Sequence, residues 1–266
     1  MICRALRVGR ATAYRNLSGR PCRYHRQEDP HVVDQLRQVL RDRGSYGHRR
    51  ARVLVNRDFG SSYGRERIRR LMRMYGLAVP VRGRRRNGRP HRGLIRREAS
   101  NQRWCSDVLE IACWNGEVVH VAFALDCCDR EAIAFVATPY ATTGVEIRRL
   151  MRKAVFARFG NERPEPPIQF LSDNESIYTA LETVIEAEHQ GLTPITTPAA
   201  SPESNGMSEA FVNTLKRDYV PDADRASAAR LIEQVPAWID DYNTFAPHSS
   251  LGMRTPAEFR REQRST

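Results

Sequence analysis

Residues 103–127 read RWCSDVLEIACWNGEVVHVAFALDC. Two apolar runs flank Asn115-Gly116, the residue pair best suited to the positive-φ positions of a tight hairpin. The first run reads as a strand and the second as its antiparallel partner. A turn near Asp129-Arg130 leads into a third strand, EAIAFVAT (131–138). The period then changes: Val145, Ile147, Leu150, Met151, Val155 and Phe159 predict a helix over roughly 143–159. A short strand IQFLS (168–172), a helix over 177–190 and a short strand in TPITTP follow. Next come a helix through SEAFVNTLKRDY and a last helix over about 226–243. Three strands in a meander, then alternating helix and strand, is an α/β order.

Three acidic residues stand out in that frame. Asp107 lies within the first strand, Asp173 directly follows the fourth in FLSDN, and Glu209 lies on the helix beyond, with positions 174–208 between the last two. A buried carboxylate without a partner is very costly, so a cluster of them points to bound divalent metal. Hard cations such as Mg²⁺ choose oxygen ligands, and ions paired roughly 4 Å apart clamp the attacking and leaving oxygens of a phosphoryl transfer. If the first and fourth strands are neighbours, Asp107 and Asp173 can share metal. Lys216 follows Glu209 by two helical turns and projects on the same face, which suits a phosphate beside the ion. Asp126 is as conspicuous by position, but its place at the hairpin's far side predicts a turn-capping role. Element order and carboxylates together point to an RNase H-like core over 101–266, a five-stranded mixed sheet with helices on both faces.

Charge divides the chain. Residues 1–100 hold 27 Arg and no Lys against 7 Asp and Glu, whereas 101–266 hold 16 basic against 24 acidic residues. Codon bias can exchange Lys for Arg but cannot move charge to one end, so the first part reads as a nucleic-acid grip and the phosphates as those of DNA. LRVGRATAYRNL (6–17) resembles the back half of a helix-turn-helix, with Thr12, Tyr14 and Arg15 on its recognition side, and assigns 1–28 to a basic N-terminal segment. Residues 29–78 carry apolar stripes (Val32, Val33, Leu36 and Leu40; Ile68, Leu71, Met72 and Met74) that predict a small all-helical DNA-binding domain. Arg65, Arg67, Arg69, Arg70 and Arg73 on its last helix suit a phosphate backbone. Residues 79–100, with Arg84, Arg85 and Arg86, form a basic linker with no apolar period. Six cysteines include no C-x-x-C pair, so no zinc finger or disulfide framework is expected. No stretch is apolar over the roughly 18 residues a membrane span needs, and a cytoplasmic, nucleoid-associated protein is expected.

WCSD around Asp107, LSDN around Asp173 and SPESNGMSEAFVNTLKRDYV around Glu209 resemble the OrfB transposases of bacterial insertion sequences, members of the retroviral-integrase-like DDE superfamily. YNTFAPHSSLGMRTPAEF (242–259) is similar to that family's C-terminal motif, and GSYGHRR (44–50) to its helical pre-catalytic domain. The resemblance implies a polynucleotidyl transferase that cleaves and transfers DNA strands with two Mg²⁺ ions, Mn²⁺ substituting. Asp107 would bridge both ions, and Asp173 and Glu209 would each hold one. It implies DNA contacts from Lys216 and Arg217, and double-stranded DNA partners in terminal inverted repeats and target. It also implies an upstream OrfA protein joined by frameshifting and a homo-oligomer on DNA. Glu175 stands where the family usually has Gly, which keeps open a catalytically inactive DNA-binding derivative. An RNase H-like nuclease is the other alternative.

Overall fold

Three short amphipathic helices open the described part of the chain, which comprises residues 26–80, 98–196 and 206–265 of a computed structural model. The segment bearing Thr12, Tyr14 and Arg15 and the linker arginines Arg84, Arg85 and Arg86 lie outside the described residues. Helices α1 (Asp29–Leu40), α2 (His48–Asp58) and α3 (Arg65–Met74) turn Val32, Val33, Leu36, Ala51, Val55, Ile68 and Leu71 into one small core. Pro30 sits in the first turn of α1, where its missing N–H costs nothing. Two of the α3 arginines have a structural task that sequence pattern does not signal. Arg67 Nε donates to Asp29 Oδ1 at 3.0 Å and Arg70 Nη2 to Asp29 Oδ2 at 2.6 Å. Asp29 is buried, so the two guanidiniums neutralise it and tie α3 to the start of α1.

The sheet runs β3-β2-β1-β4-β5. Its strands are β1 (Arg103–Ala112), β2 (Val118–Asp126), β3 (Ala132–Thr138), β4 (Ile168–Ser172) and β5 (Leu192–Thr196). The first three form the antiparallel meander, while β4 adds to β1 in parallel and β5 to β4 in parallel. At the hairpin, Gly116 takes φ 90° and the Asn115 side chain accepts from Glu117 N. Side chains alternate across the pleat. Trp104, Ala122 and Phe170 therefore face helix α4 (Gly144–Phe159), which a Thr143–Glu146 capping box starts. Cys105, Leu109, Phe123 and Leu171 face α7 (Gly206–Asp218) and α8 (Ala228–Thr244). The five-stranded mixed sheet with helices on both faces is as the element order implied. Among the described residues no helix is long and apolar enough to cross a membrane.

Two elements differ from expectation. The helix predicted over 177–190 is divided into α5 (Ser176–Thr179) and α6 (Leu181–His189), because Ala180 is extended (φ −58°, ψ 138°) and caps the second piece. The break turns Tyr178 into the core while Leu181 stays exposed. The helix over 226–243 is not the last. A further one, α9 (Pro256–Ser265), begins with Thr255 Oγ accepting from Glu258 N at 3.1 Å and Glu258 Oε2 accepting from Thr255 N at 2.8 Å. That signal, Thr-Pro-x-Glu, is legible in the sequence.

The GSYGHRR stretch joins the helical domain to the core. Ser45 Oγ donates to Asp218 Oδ1 at 2.5 Å and Arg50 Nη1 to Asp218 Oδ2 at 2.6 Å. Arg43 makes a two-pronged pair with Asp241 at 2.5 and 3.0 Å, and Tyr219 Oη donates to the same carboxylate. Buried Tyr46 lies beneath the Arg50 guanidinium, 3.7 Å from ring centre to Cζ. Asp218 ends α7, the helix that carries Glu209. Although burial opposes its charge, hydrogen bonds from Arg217 and Arg50 hold the Asp218 carboxyl down at about 2. A depressed carboxyl contributes stability above its unfolded value of 3.8 that disappears as pH falls through about 2. Asp218→Asn is therefore expected to cost about 2 kcal/mol at neutral pH, from about 1.4 kcal/mol per pKa unit. Urea unfolding of variant and wild type should converge near pH 2; equal stability at pH 7 would refute the assignment.

Candidate active site

The strand register brings two of the three predicted acids together. In the β1–β4 pairing Trp104 faces Phe170 and Cys105 faces Leu171. Asp107 lies two residues beyond Cys105 on β1, and Asp173 two residues beyond Leu171, directly after the end of β4, so both acids follow the same strand pair in the same direction. Pleat parity points Asp107 to the face that carries Cys105 and Leu109, which is the α7 side. Across the hairpin Asp107 pairs with Phe123, whose ring meets that of Phe211 at 4.5 Å between centres. Phe211 lies two residues beyond Glu209 on α7, so the helix crosses the sheet at the acids. Met207, Phe211 and Leu215 form its buried stripe, leaving Glu209 and Lys216 exposed.

Electrostatics report the same convergence. The half-buried Asp107 carboxyl is pushed up to about 6, first by its burial and then by the negative charges of Asp173, Glu175 and Glu209. Among the described residues its hydrogen bond comes from Val108 N, at 2.8 Å. Glu175 belongs to the cluster. Partial burial raises its carboxyl, and the charges of Asp173 and Glu110 raise it further. Its backbone N–H donates to Asp173 Oδ1 at 3.2 Å, which orients the Asp173 side chain. Among the described residues, no three His, Cys, Asp or Glu side chains stand close enough together, as placed, to hold a metal ion. The carboxylates stand within repelling distance of one another, and every donor they offer is oxygen, the donor set hard divalent cations take.

One supporting contact has no counterpart in the sequence pattern. Ser106 and Tyr178 share a hydrogen bond of 2.9 Å between buried hydroxyls. Ser106 adjoins Asp107, and Tyr178 is five residues beyond Asp173, so this bond ties the loop bearing one acid to the strand bearing the other. No periodicity could signal it, since it links residues 72 apart. The remaining predicted residues divide. Arg217 pairs with Asp218 at 2.7 Å, Arg69 with Glu66 at 3.1 Å and Arg70 with Asp29, so none of the three enters the acidic cluster. Asp126 accepts from the backbone N–H groups of Asn101, Cys128 and Asp129 at 2.7–3.1 Å, the turn-capping role foreseen for it.

The simian T-cell lymphotropic virus intasome, solved by cryo-electron microscopy with the PP2A regulatory subunit B56 gamma, shares the fold. One of its chains superposes with TM-score 0.51 at 13% identity, over 86% of this chain and 74% of that one. The family model described as an integrase core domain matches residues 97–202, a second one so described matches 190–256, and an HTH-like domain matches 26–85. Fold and site thus define an integrase-core protein with a helical HTH-like domain ahead of the sheet. Transposase InsD for insertion element IS2A/D/F/H/I/K of Escherichia coli is 38% identical over 283 residues, covering 99% of this chain and 91% of the relative. Transposase InsD for insertion element IS2-9 of strain K12 is equally similar, with 89% of its length covered. The chain belongs to this family of insertion-element transposases with an integrase core domain.

Proposed function

We propose that the chain cuts the DNA ends of an insertion element and joins them to a target duplex, with Asp107, Asp173 and Glu209 as the metal-holding catalytic residues. The observation that carries this is the half-buried Asp107 carboxylate set among the charges of Asp173, Glu175 and Glu209. Such a cluster is unstable by itself and is stabilised by cations. Bound there, two Mg²⁺ ions, or Mn²⁺ in their place, supply Lewis-acid polarisation of the phosphate and activation of the attacking water or 3′-hydroxyl. The protein's own part is positional. The Ser106–Tyr178 bond would hold the Asp173 loop near Asp107, and the Phe123–Phe211 contact would bring α7, with Glu209, toward the same part of the sheet. Lys216, two turns along α7, holds the neighbouring DNA backbone.

DNA contacts are assigned to Lys216, Arg217, Arg69 and Arg70, and to Arg15, Arg84, Arg85 and Arg86 in the basic segments. The proposed organisation is a basic N-terminal segment (1–28), a helical DNA-binding domain (29–78), a basic linker (79–100) and the catalytic domain (101–266). The working form is read as a homo-oligomer on terminal inverted repeats, with an upstream OrfA protein as partner or fusion. Incubating the protein with labelled terminal-repeat duplex, a second duplex and Mg²⁺ or Mn²⁺ tests the reading. Cleaved and strand-joined products are expected; cleavage without joining would favour a nuclease, and binding without either a catalytically inactive derivative. Glu175→Gly is expected to raise the cleavage rate several-fold, because a fourth carboxylate competes for the same cation. An unchanged or lower rate would make Glu175 neutral or a working member of the site.

A further inference from the structure

Two motifs with no place in the acidic cluster meet across one cavity. Residues 47–50 of GSYGHRR form one wall and 246–250 of the C-terminal stretch another, with α7 as the floor. The cavity measures about 470 Å³. Its charged lining is of one sign: Arg49, Arg50, Arg130 and Arg217 border it, beside the imidazoles of His48 and His248, which burial keeps toward the neutral form, and no described Asp or Glu does. Asp218 neutralises Arg50 and Arg217 from behind. Arg49 and Arg130 make no ion pair among the described residues. Arg130 is held at φ 61°, a left-handed conformation that a non-glycine residue adopts at a cost. His48 Nε2 is buried with no hydrogen-bond partner among the described residues, a state that is unfavourable until an acceptor or donor fills it.

We propose that this cavity receives a backbone phosphate of the DNA substrate, held by His48 and Arg49 of the helical domain and by Arg130 of the core. The inference rests on the DNA reading above and adds a site that it does not contain. Its volume lies within the range of about 300–1,000 Å³ usual for small-ligand sites, too small for a duplex but open to the edge of one strand. Arginine and imidazole donors are those that phosphate oxygens favour. Ala210 and Phe211, directly after Glu209, line the same cavity, so a strand anchored there runs along α7 toward the acids. One phosphate would thereby be touched by both domains.

The test uses the full chain and terminal-repeat duplex, comparing wild type with Arg49→Ala, Arg49→Lys and Arg49→Ala/Arg130→Ala, and with Arg37→Ala as an exposed control on α1. Affinity is measured against salt. Each neutralised phosphate contributes about 0.9 to the log–log slope. Arg49→Ala and the double variant should become shallower by about that amount for each phosphate no longer neutralised, with affinity at least fivefold weaker, while Arg49→Lys keeps the wild-type slope. Scanning the duplex with neutral methylphosphonates should find one linkage whose neutralisation weakens wild type and leaves the double variant unaffected. Equal slopes and equal methylphosphonate profiles in folded variants would overturn the proposal. Wild type that fails to bind the duplex would instead overturn the DNA reading beneath it.

Discussion

Asp107→Asn is expected to abolish DNA cleavage while leaving the protein more stable in metal-free buffer. Asp173→Asn and Glu209→Gln should behave alike. The catalytic loss follows from removing charge where phosphate charge develops, worth about 10²–10³-fold for one hydrogen-bond donor and more for a metal ligand. DNA affinity should stay within about twofold, because these acids oppose the DNA backbone. The gain in stability follows from the folded protein alone. Asp107 is half-buried, it is repelled by three neighbours, and its hydrogen bond from Val108 N survives in Asn.

The pH dependence carries a sign. Because the folded carboxyl titrates near 6 and its unfolded reference at 3.8, the native state binds the proton more tightly. Wild-type stability in chelator should therefore fall as pH rises from 3.8 through about 6, and Asp107→Asn should lose the Asp107 part of that fall while the part from Asp126, also raised to about 6, remains. Thermal melts with and without Mn²⁺ complete the test, since metal should stabilise wild type and not the variant. A variant that still cleaves DNA, or that loses DNA affinity with its activity, would remove Asp107 from the metal site.

Arg158→Met is expected to produce the largest loss of stability. Arg158 comes from the last turn of α4 and is almost fully buried, as are Asp126 and Asp129. Its Nη2 lies 3.2–3.3 Å from both oxygens of Asp129 and 3.2 Å from Glu131. The Asp126 carboxyl, raised to about 6 by burial and by Asp129, is lowered in turn by Arg158. Without the guanidinium two buried carboxylates lose their cation, a change that costs about 3–5 kcal/mol. The lower end applies, because Nε and Nη1 of Arg158 make no hydrogen bond among the described residues. Against a typical total of about 5–15 kcal/mol this leaves the domain near its threshold. Urea unfolding measures it, and adding Asp129→Asn should restore part of the loss. A change under about 1 kcal/mol would show that the β2–β3 turn does not need the ion.

Asp107 and Asp126 both occupy strand or turn positions, yet Asp126 is engaged by backbone donors while Asp107 stands among other carboxylates. Local pattern separated them in part. Asp126 ends its strand before a turn, where backbone N–H groups await an acceptor, whereas Asp107 sits mid-strand with none but its neighbour's. The hairpin at Asn115-Gly116, the β4 strand and the α4 helix were legible for the same reason: turn chemistry and side-chain period act over a few residues. The division of 177–190 at Ala180 was not, because the break serves the burial of Tyr178 against Ser106. The Thr255–Glu258 capping box is a local signal of the same kind.

From the chain alone came the meander, the helix–strand alternation, the identity of Asp107, Asp173 and Glu209 as the acids out of place, and the concentration of positive charge before residue 101. These are local or compositional properties, and a linear string carries them. Only the folded molecule decided which arginines are engaged. Arg67 and Arg70 answer Asp29, Arg50 answers Asp218 from 168 positions away and Arg43 answers Asp241 from 198. Those partners are chosen by how the helical domain docks on α7 and α8. A guanidinium binds whichever carboxylate packing places within about 3 Å, and no spacing along the chain encodes that distance.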